Sequence, residues 1–119
     1  FAEKQNVLLL GIMFNCAEPE AITLALQQIH QNTTLSKLLK NKGILLGAYA
    51  NRLTPIAYDW SLEESESAQE MRRDVSPKQY MEKFVSVWVK ELGLQMVGGC
   101  CGITPEHIAY MHSKLILEE

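Results

Sequence analysis

Three times along this chain a short apolar run gives way to a loop and then to an amphipathic helical stripe, and no other feature restricts the fold as much. Parallel strands cannot be joined by a tight hairpin. Each needs a crossover, usually a helix, so the repetition predicts parallel βα units and an α/β fold. The first unit is an apolar run over 7–14, broken only by Gly11, then a helix over 18–31 with Pro19 in its first turn and Ile22, Ala25, Leu26 and Ile29 on one face. The unbroken run predicts a strand covered on both sides, and the i, i+3, i+4, i+7 spacing predicts a core-facing helix. A shorter helical piece over 34–41 groups Leu35, Leu38 and Leu39 before Gly43 ends it.

The second strand is predicted over 44–50. The third helix is the clearest element, with Ser76 as N-cap, Pro77 at the first helical position, a stripe of Tyr80, Phe84, Val87 and Trp88, and Gly93 beyond its end. A third strand over 94–97 runs into Gly98, Gly99, Cys100, Cys101 and Gly102. Thr104 then caps a last helix that starts at Pro105 and turns Ile108, Met111 and Leu115 inward. The connection over 51–75 far exceeds the about 2 to 6 residues of an ordinary βα loop, which marks it as a lid, a binding loop or a disordered insert, the plainer reading being a solvated acidic loop with room for a helical turn. It carries Asp59, Glu63, Glu64, Glu66 and Glu70, with Tyr58 and Trp60 among them.

Charge excludes some partners. Eleven Lys and Arg against fourteen Asp and Glu, a net charge of −3, leave no basic excess for a nucleic-acid backbone or an anionic membrane. The 7–14 run is far shorter than the roughly 20 residues of a membrane span, and no cleavable signal opens the chain, so it reads as cytoplasmic.

The three cysteines, an odd number that includes the adjacent pair Cys100 and Cys101, do not suit a disulfide framework. All three follow predicted strands: Cys16 the first, Cys100 and Cys101 the third. Sites in parallel α/β folds are built at the carboxyl ends of strands, so the fold alone brings these sulfurs to one side. Adjacent strand residues point to opposite faces. Cys100 and Cys101 can therefore converge only if the backbone leaves strand geometry, a freedom that Gly98, Gly99 and Gly102 are expected to supply. Three thiolates with one position open suit Zn2+ in a catalytic arrangement. The plainer reading of each cysteine is a small buried hydrophobe, but a Gly-Gly-Cys-Cys-Gly run gives up packing and order for no structural gain. Of the histidines, His30 ends a helix, His112 sits on a mid-helix surface, and His107 lies close to the cysteines in a supporting role. There is no phosphate loop, dinucleotide fingerprint, nucleophile elbow or His-Glu-x-x-His run.

The run Gly98-Gly99-Cys100-Cys101-Gly102-Ile103-Thr104-Pro105-Glu106-His107-Ile108, preceded by Asn15-Cys16-x-x-Pro19, resembles the zinc signature of the homocysteine S-methyltransferase family, with its betaine-, S-methylmethionine- and folate-dependent branches. The resemblance extends over about 7–111. It implies a (β/α)8 TIM barrel whose last three strands carry these motifs. The chain would then supply the sixth to eighth βα units, one partial domain over 1–119 with under half of the about 250 residues of a full barrel. A start at Phe1 fits that expectation. The resemblance further implies Cys16, Cys100 and Cys101 as zinc ligands, and methyl transfer from a donor to the thiol of homocysteine, giving methionine, with those two small molecules as partners.

This sequence departs from the family pattern in two places. Met13 and Phe14 separate Gly11-Ile12 from Asn15-Cys16, and Tyr49-Ala50-Asn51-Arg52-Leu53-Thr54-Pro55 stands where S-methylmethionine-type relatives carry an aromatic-Pro-Asn-Ser-Gly-Glu-like run. The donor is therefore left open. Asn51 and Arg52 are candidates to contact a substrate carboxylate or a folate glutamate, and Tyr58 and Trp60 could offer aromatic faces to a cationic donor. The competing readings are a zinc-holding structural or regulatory fragment without turnover and, lacking Cys-x-x-Cys, a thiol redox module. A three-stranded parallel sheet would leave two edges open to further strands or to another copy.

Overall fold

A computed structural model describes residues 7–54 and 71–117. Three parallel strands form one sheet in the order β1-β2-β3: β1 (Gly11–Asn15), β2 (Leu45–Ala50) and β3 (Met96–Gly99). Between them run α1 (Pro19–Gln31), α2 (Thr33–Asn41) and a third helix in three segments, α3 (Pro77–Gln79), a π-helical turn (Tyr80–Val85) and α4 (Ser86–Lys90); α5 (Pro105–Leu117) follows β3. The parallel βα rhythm thus holds. Sequential neighbours pair side by side, and all three strands end at the same side of the sheet.

Local chemistry sets the helix starts. Pro19 and Pro77 take first-turn positions, where a missing N–H goes unnoticed. Asn32 accepts the Leu35 N–H at 3.0 Å to open α2. Ser76 and Gln79 form a reciprocal capping box, Ser76 Oγ accepting from the Gln79 amide at 3.2 Å and Gln79 Oε1 from the Ser76 amide at 3.1 Å. Gly43, at φ +67°, makes the left-handed step that turns the chain out of α2.

Helices cover one sheet face. Leu46, Ala48 and Ala50 are buried there, and the small alanines let the layer of Ile22, Leu26, Val75, Tyr80, Met81, Val85, Trp88 and Met111 approach closely. Tyr80 packs edge-on against Trp88, ring centroids 5.8 Å apart, and Trp88 Nε1 donates to Thr23 Oγ1 at 2.8 Å, tying the third helix to α1. On the other face the side chains of Met13 and Met96 converge over Gly47.

Several expectations need correction. The first strand begins at Gly11, and Val7, Leu8, Leu9 and Leu10 are exposed, because β2 offers its first strand partner at Leu45. Nor is β1 covered on both sides: as an edge strand it leaves Ile12 37% and Met13 46% exposed. The third strand is shifted toward the glycines, to 96–99, and Leu94 instead packs into the core just before it. On the third helix Met81 and Val85 are buried while Phe84 and Val87 are only partly so. The cause is the π turn: the Ser86 N–H reaches back five residues to the Met81 carbonyl, and the wider turn swings Val85 onto the face of Tyr80 and Met81. On α5 Ile108 is 43% exposed, and His107 takes its inward place beside Met111. Leu38 is likewise exposed, leaving Leu39 as the buried residue of α2.

Candidate metal centre

Four consecutive residues at the exit of β2 fasten the two cysteine segments. The Tyr49 carbonyl accepts from the Cys16 N–H at 2.9 Å, and the Asn51 N–H donates to the Ala17 carbonyl at 3.0 Å. On the opposite side the Ala50 carbonyl accepts from the Cys100 N–H at 2.8 Å, and the Arg52 N–H donates to the Cys101 carbonyl at 2.7 Å. Alternate residues of one strand end thus hold Cys16 on one side and the Cys100–Cys101 pair on the other.

The adjacent cysteines converge because the chain leaves β3 in a tight turn, with the Ile103 N–H donating to the Cys100 carbonyl at 3.0 Å and Gly102 at φ +80°. Of the three glycines expected to supply freedom, only Gly102 adopts a left-handed conformation; Gly98 and Gly99 lie in β3. Gly99 has a different task. A Cβ there would overlap Cβ and Cγ2 of Ile103, so its hydrogen is what lets the turn fold back against the strand. Cys16 is the one non-glycine residue with positive φ, +46°, among the described residues.

The result is a triangle of sulfurs. Cys16 Sγ lies 3.8 Å from Cys101 Sγ, Cys100 Sγ lies 3.9 Å from Cys101 Sγ, and all three fall within 4.8 Å of one another. A tetrahedral metal–thiolate site with bonds of about 2.3 Å sets its sulfurs about 3.8 Å apart. Two edges of the triangle therefore already have that length, and all three thiols are free, with Cys101 exposed at the open side. Soft donors at this spacing fit Zn2+ and leave a fourth position for an exchangeable ligand. The contact with Cys100 holds the Cys16 thiol below its ordinary range, and the same contact, with burial behind it, pushes Cys100 up to about 11.

The surrounding groups are braces. The Asn51 side chain donates from Nδ2 to the Cys16 carbonyl at 2.9 Å, with Cys16 Sγ at 3.9 Å, and accepts the Leu53 N–H on Oδ1 at 3.2 Å. Arg52 Nε donates to the Arg72 carbonyl at 2.6 Å, and the Arg72 N–H returns to the Arg52 carbonyl at 2.8 Å, clasping the two ends of the long connection beside Cys101. Arg72 reaches Asp74 through two bonds of 3.0 and 2.8 Å and Glu20 at 2.7 Å. His107 stays out of the cluster. Its Nε2 pairs with the Val75 carbonyl at 2.8 Å and its Nδ1 accepts the Thr104 N–H at 3.1 Å, so it fastens α5 to the start of the third helix. Tyr58, Trp60 and the five loop carboxylates lie outside the described residues.

One brace escaped the sequence reading. Tyr80 Oη donates to the Gly98 carbonyl at 2.9 Å and accepts the Ala50 N–H at 3.4 Å, joining β2 to β3 just behind the cysteines. A hydroxyl in an otherwise apolar stripe was the available signal, since a buried tyrosine needs a partner for its OH.

No solved structure matches the chain. Its sequence matches the family described as homocysteine S-methyltransferase over residues 1–115, nearly its whole length and including all three cysteines. The chain belongs to the homocysteine S-methyltransferase family.

Proposed function

We propose that this chain holds the Zn2+ of a homocysteine S-methyltransferase through Cys16, Cys100 and Cys101, and that the reaction served is methyl transfer from a small-molecule donor to the homocysteine thiol, giving methionine. The sulfur triangle carries the reading, because its 3.8 and 3.9 Å edges suit a tetrahedral thiolate site and it sits where parallel strands end. Bound there, zinc would supply a Lewis acid that favours the thiolate form of a substrate thiol at neutral pH. The chain's own part is positional: β2 fixes the ligand spacing, the Cys100–Ile103 turn aims two sulfurs at one point, and Cys101 faces the open side. Arg52, bonded through its backbone to Cys101, brings a cation to the rim, where it would meet the carboxylate of an amino-acid substrate.

The sequential parallel order β1-β2-β3 supports three consecutive units of a (β/α)8 barrel, with Met13, Gly47 and Met96 on the barrel's inner side. The exposure of Ile12, Met13 and Leu45 favours a division of labour in which the three cysteines of this chain hold the metal while further strands cover these apolar side chains and supply the remaining substrate contacts. The open edges of β1 and β3 would receive those strands.

The test is metal stoichiometry of the reduced chain, followed by X-ray absorption of the bound metal as homocysteine is added. About one zinc per chain with three sulfurs, rising to four with homocysteine, is expected. Binding without the fourth sulfur would leave a metal-holding fragment, and unchanged zinc affinity in Cys16→Ala would refute the ligand set.

A further inference from the structure

Cys16 is an awkward ligand to place. Its backbone sits at φ +46°, where the Cβ of an L-residue crowds the neighbouring carbonyl, and such a conformation persists only where the surroundings over-determine it. Two backbone bonds, from the Cys16 N–H to Tyr49 and from the Asn51 N–H to Ala17, hold the segment at either end. The remaining constraint comes from the Asn51 side chain, nearly buried at 9% exposure, whose Nδ2 lies 2.9 Å from the Cys16 carbonyl and 3.9 Å from its sulfur.

The orientation of that amide is fixed. Oδ1 accepts the Leu53 N–H at 3.2 Å, so a flipped amide would set oxygen against the Cys16 carbonyl and N–H against N–H at Leu53. Both Nδ2 hydrogens are thereby committed toward Cys16, one to its carbonyl and one toward its sulfur. A substrate contact by the same amide would require it to abandon the ligand.

We propose that Asn51 is a positioning residue for the metal site: its side-chain amide locks Cys16 in the left-handed conformation that aims Sγ at the cluster, and donates an N–H···S bond to that sulfur when it is a thiolate. The proposal rests on the zinc reading above. Partners of metal ligands act in this way in general, fixing ligand orientation and tuning donor strength, and their loss typically lowers metal affinity roughly 10- to 100-fold.

The test uses the reduced chain and two variants, Asn51→Ala and Asn51→Leu, the second keeping the branched shape, in a somewhat larger volume, without a donor. Zinc affinity is measured by competition with a chromophoric chelator, and Co2+ is used as a spectroscopic probe. Both variants should bind roughly 10- to 100-fold more weakly. The thiolate-to-cobalt charge-transfer band should move to lower energy, because a sulfur that loses a hydrogen bond holds its electrons less tightly; a purely structural role for Asn51 would not move it. Folded variants with wild-type affinity and an unshifted band would overturn the proposal. Should both variants fail to fold, the wild-type chain decides: its Asn51 side-chain amide resonances should shift on Cd2+ loading, and resonances that stay in place would overturn it. Failure of the wild-type chain to bind metal would instead overturn the zinc reading, and this one with it.

Discussion

Three glycines surround the cysteine pair, and the structure gives each a different sensitivity to an added methyl group. At Gly98 a Cβ would meet only Tyr49 Cβ at 3.9 Å, an ordinary contact, and alanine there would gain the about 0.4 to 1 kcal/mol that follows from a less flexible unfolded chain. At Gly99 the same methyl would overlap Cβ and Cγ2 of Ile103. Those atoms are branched next to the backbone and cannot swing aside, so the turn itself must shift. Overpacking of this kind costs about 1 to 3 kcal/mol, which leaves Gly99→Ala destabilised by about 0.5 to 2 kcal/mol after the same gain. At Gly102 the left-handed φ of +80° adds about 1 kcal/mol for a side chain, and the new Cβ would press on Arg52 Cβ at 2.8 Å. The expected order of stability is Gly98→Ala, then wild type, then Gly99→Ala and Gly102→Ala together, read as urea midpoints of the reduced, metal-free chain. Zinc affinity should fall in the last two, because the displaced turn carries Cys100 and Cys101. A Gly99→Ala chain as stable as Gly98→Ala, with undiminished zinc affinity, would refute the claim that the Cys100–Ile103 turn is packed against β3.

Three further perturbations probe the supports. Tyr80→Phe keeps the ring against Trp88 but removes the hydroxyl shared by Ala50 and Gly98, and thermal or urea unfolding should show a loss of about 1 to 2 kcal/mol; burial pushes that hydroxyl up to about 12, so it remains a neutral donor and the loss should not vary between pH 6 and 9. The Arg72 guanidinium holds the Asp74 carboxyl down at about 2, below the about 3.9 of an unfolded chain, so its contribution is complete above pH 4 and fades as pH falls toward 2. Because Asp74 is exposed the effect is below about 1 kcal/mol, and Asp74→Asn should lower the urea midpoint at pH 6 while narrowing its difference from wild type at pH 3. Arg52→Ala retains the N–H that holds the Cys101 carbonyl and Arg52→Pro deletes it, so chelator competition should show the larger loss of zinc affinity in the proline variant; equal affinities would count against the role assigned to the β2 exit.

Parts of the fold expressed in side-chain type were legible in the sequence. Ser76-Pro77 and Thr104-Pro105 announce helix starts because capping and a missing N–H are properties of those residues. The βα rhythm is legible because burial imposes a period on apolar residues. Errors arose where a hydrogen bond changed the geometry that the period assumes. The π turn through Tyr80–Val85 brought Val85 inward against a spacing that favoured Phe84 and Val87. On α5 the inward residue is His107, which can be buried because both ring nitrogens find partners; an apolar stripe cannot anticipate a polar residue so satisfied. Gly98 and Gly99 extend β3 with no side chain to signal it, and the run from Val7 to Leu10 reads as a strand although β2 begins opposite Gly11.

The proposed metal centre divides along the same line. Its candidate ligands were legible because thiolate coordination can be performed by no other side chain, so a site of this kind has to show its cysteines, here Cys16, Cys100 and Cys101, as letters. Its geometry was not, because the Tyr49–Arg52 exit of β2 works through main-chain groups that nearly every residue possesses. Asn51 lies between the two cases. Its position at a strand's carboxyl end marked it for a role at the site, and the structure turns its side-chain amide toward Cys16. Whether an amide at such a position faces outward to a ligand or inward to a cysteine depends on where the next backbone N–H lies. Here the Leu53 N–H takes Oδ1, and that one bond leaves both amide hydrogens for Cys16.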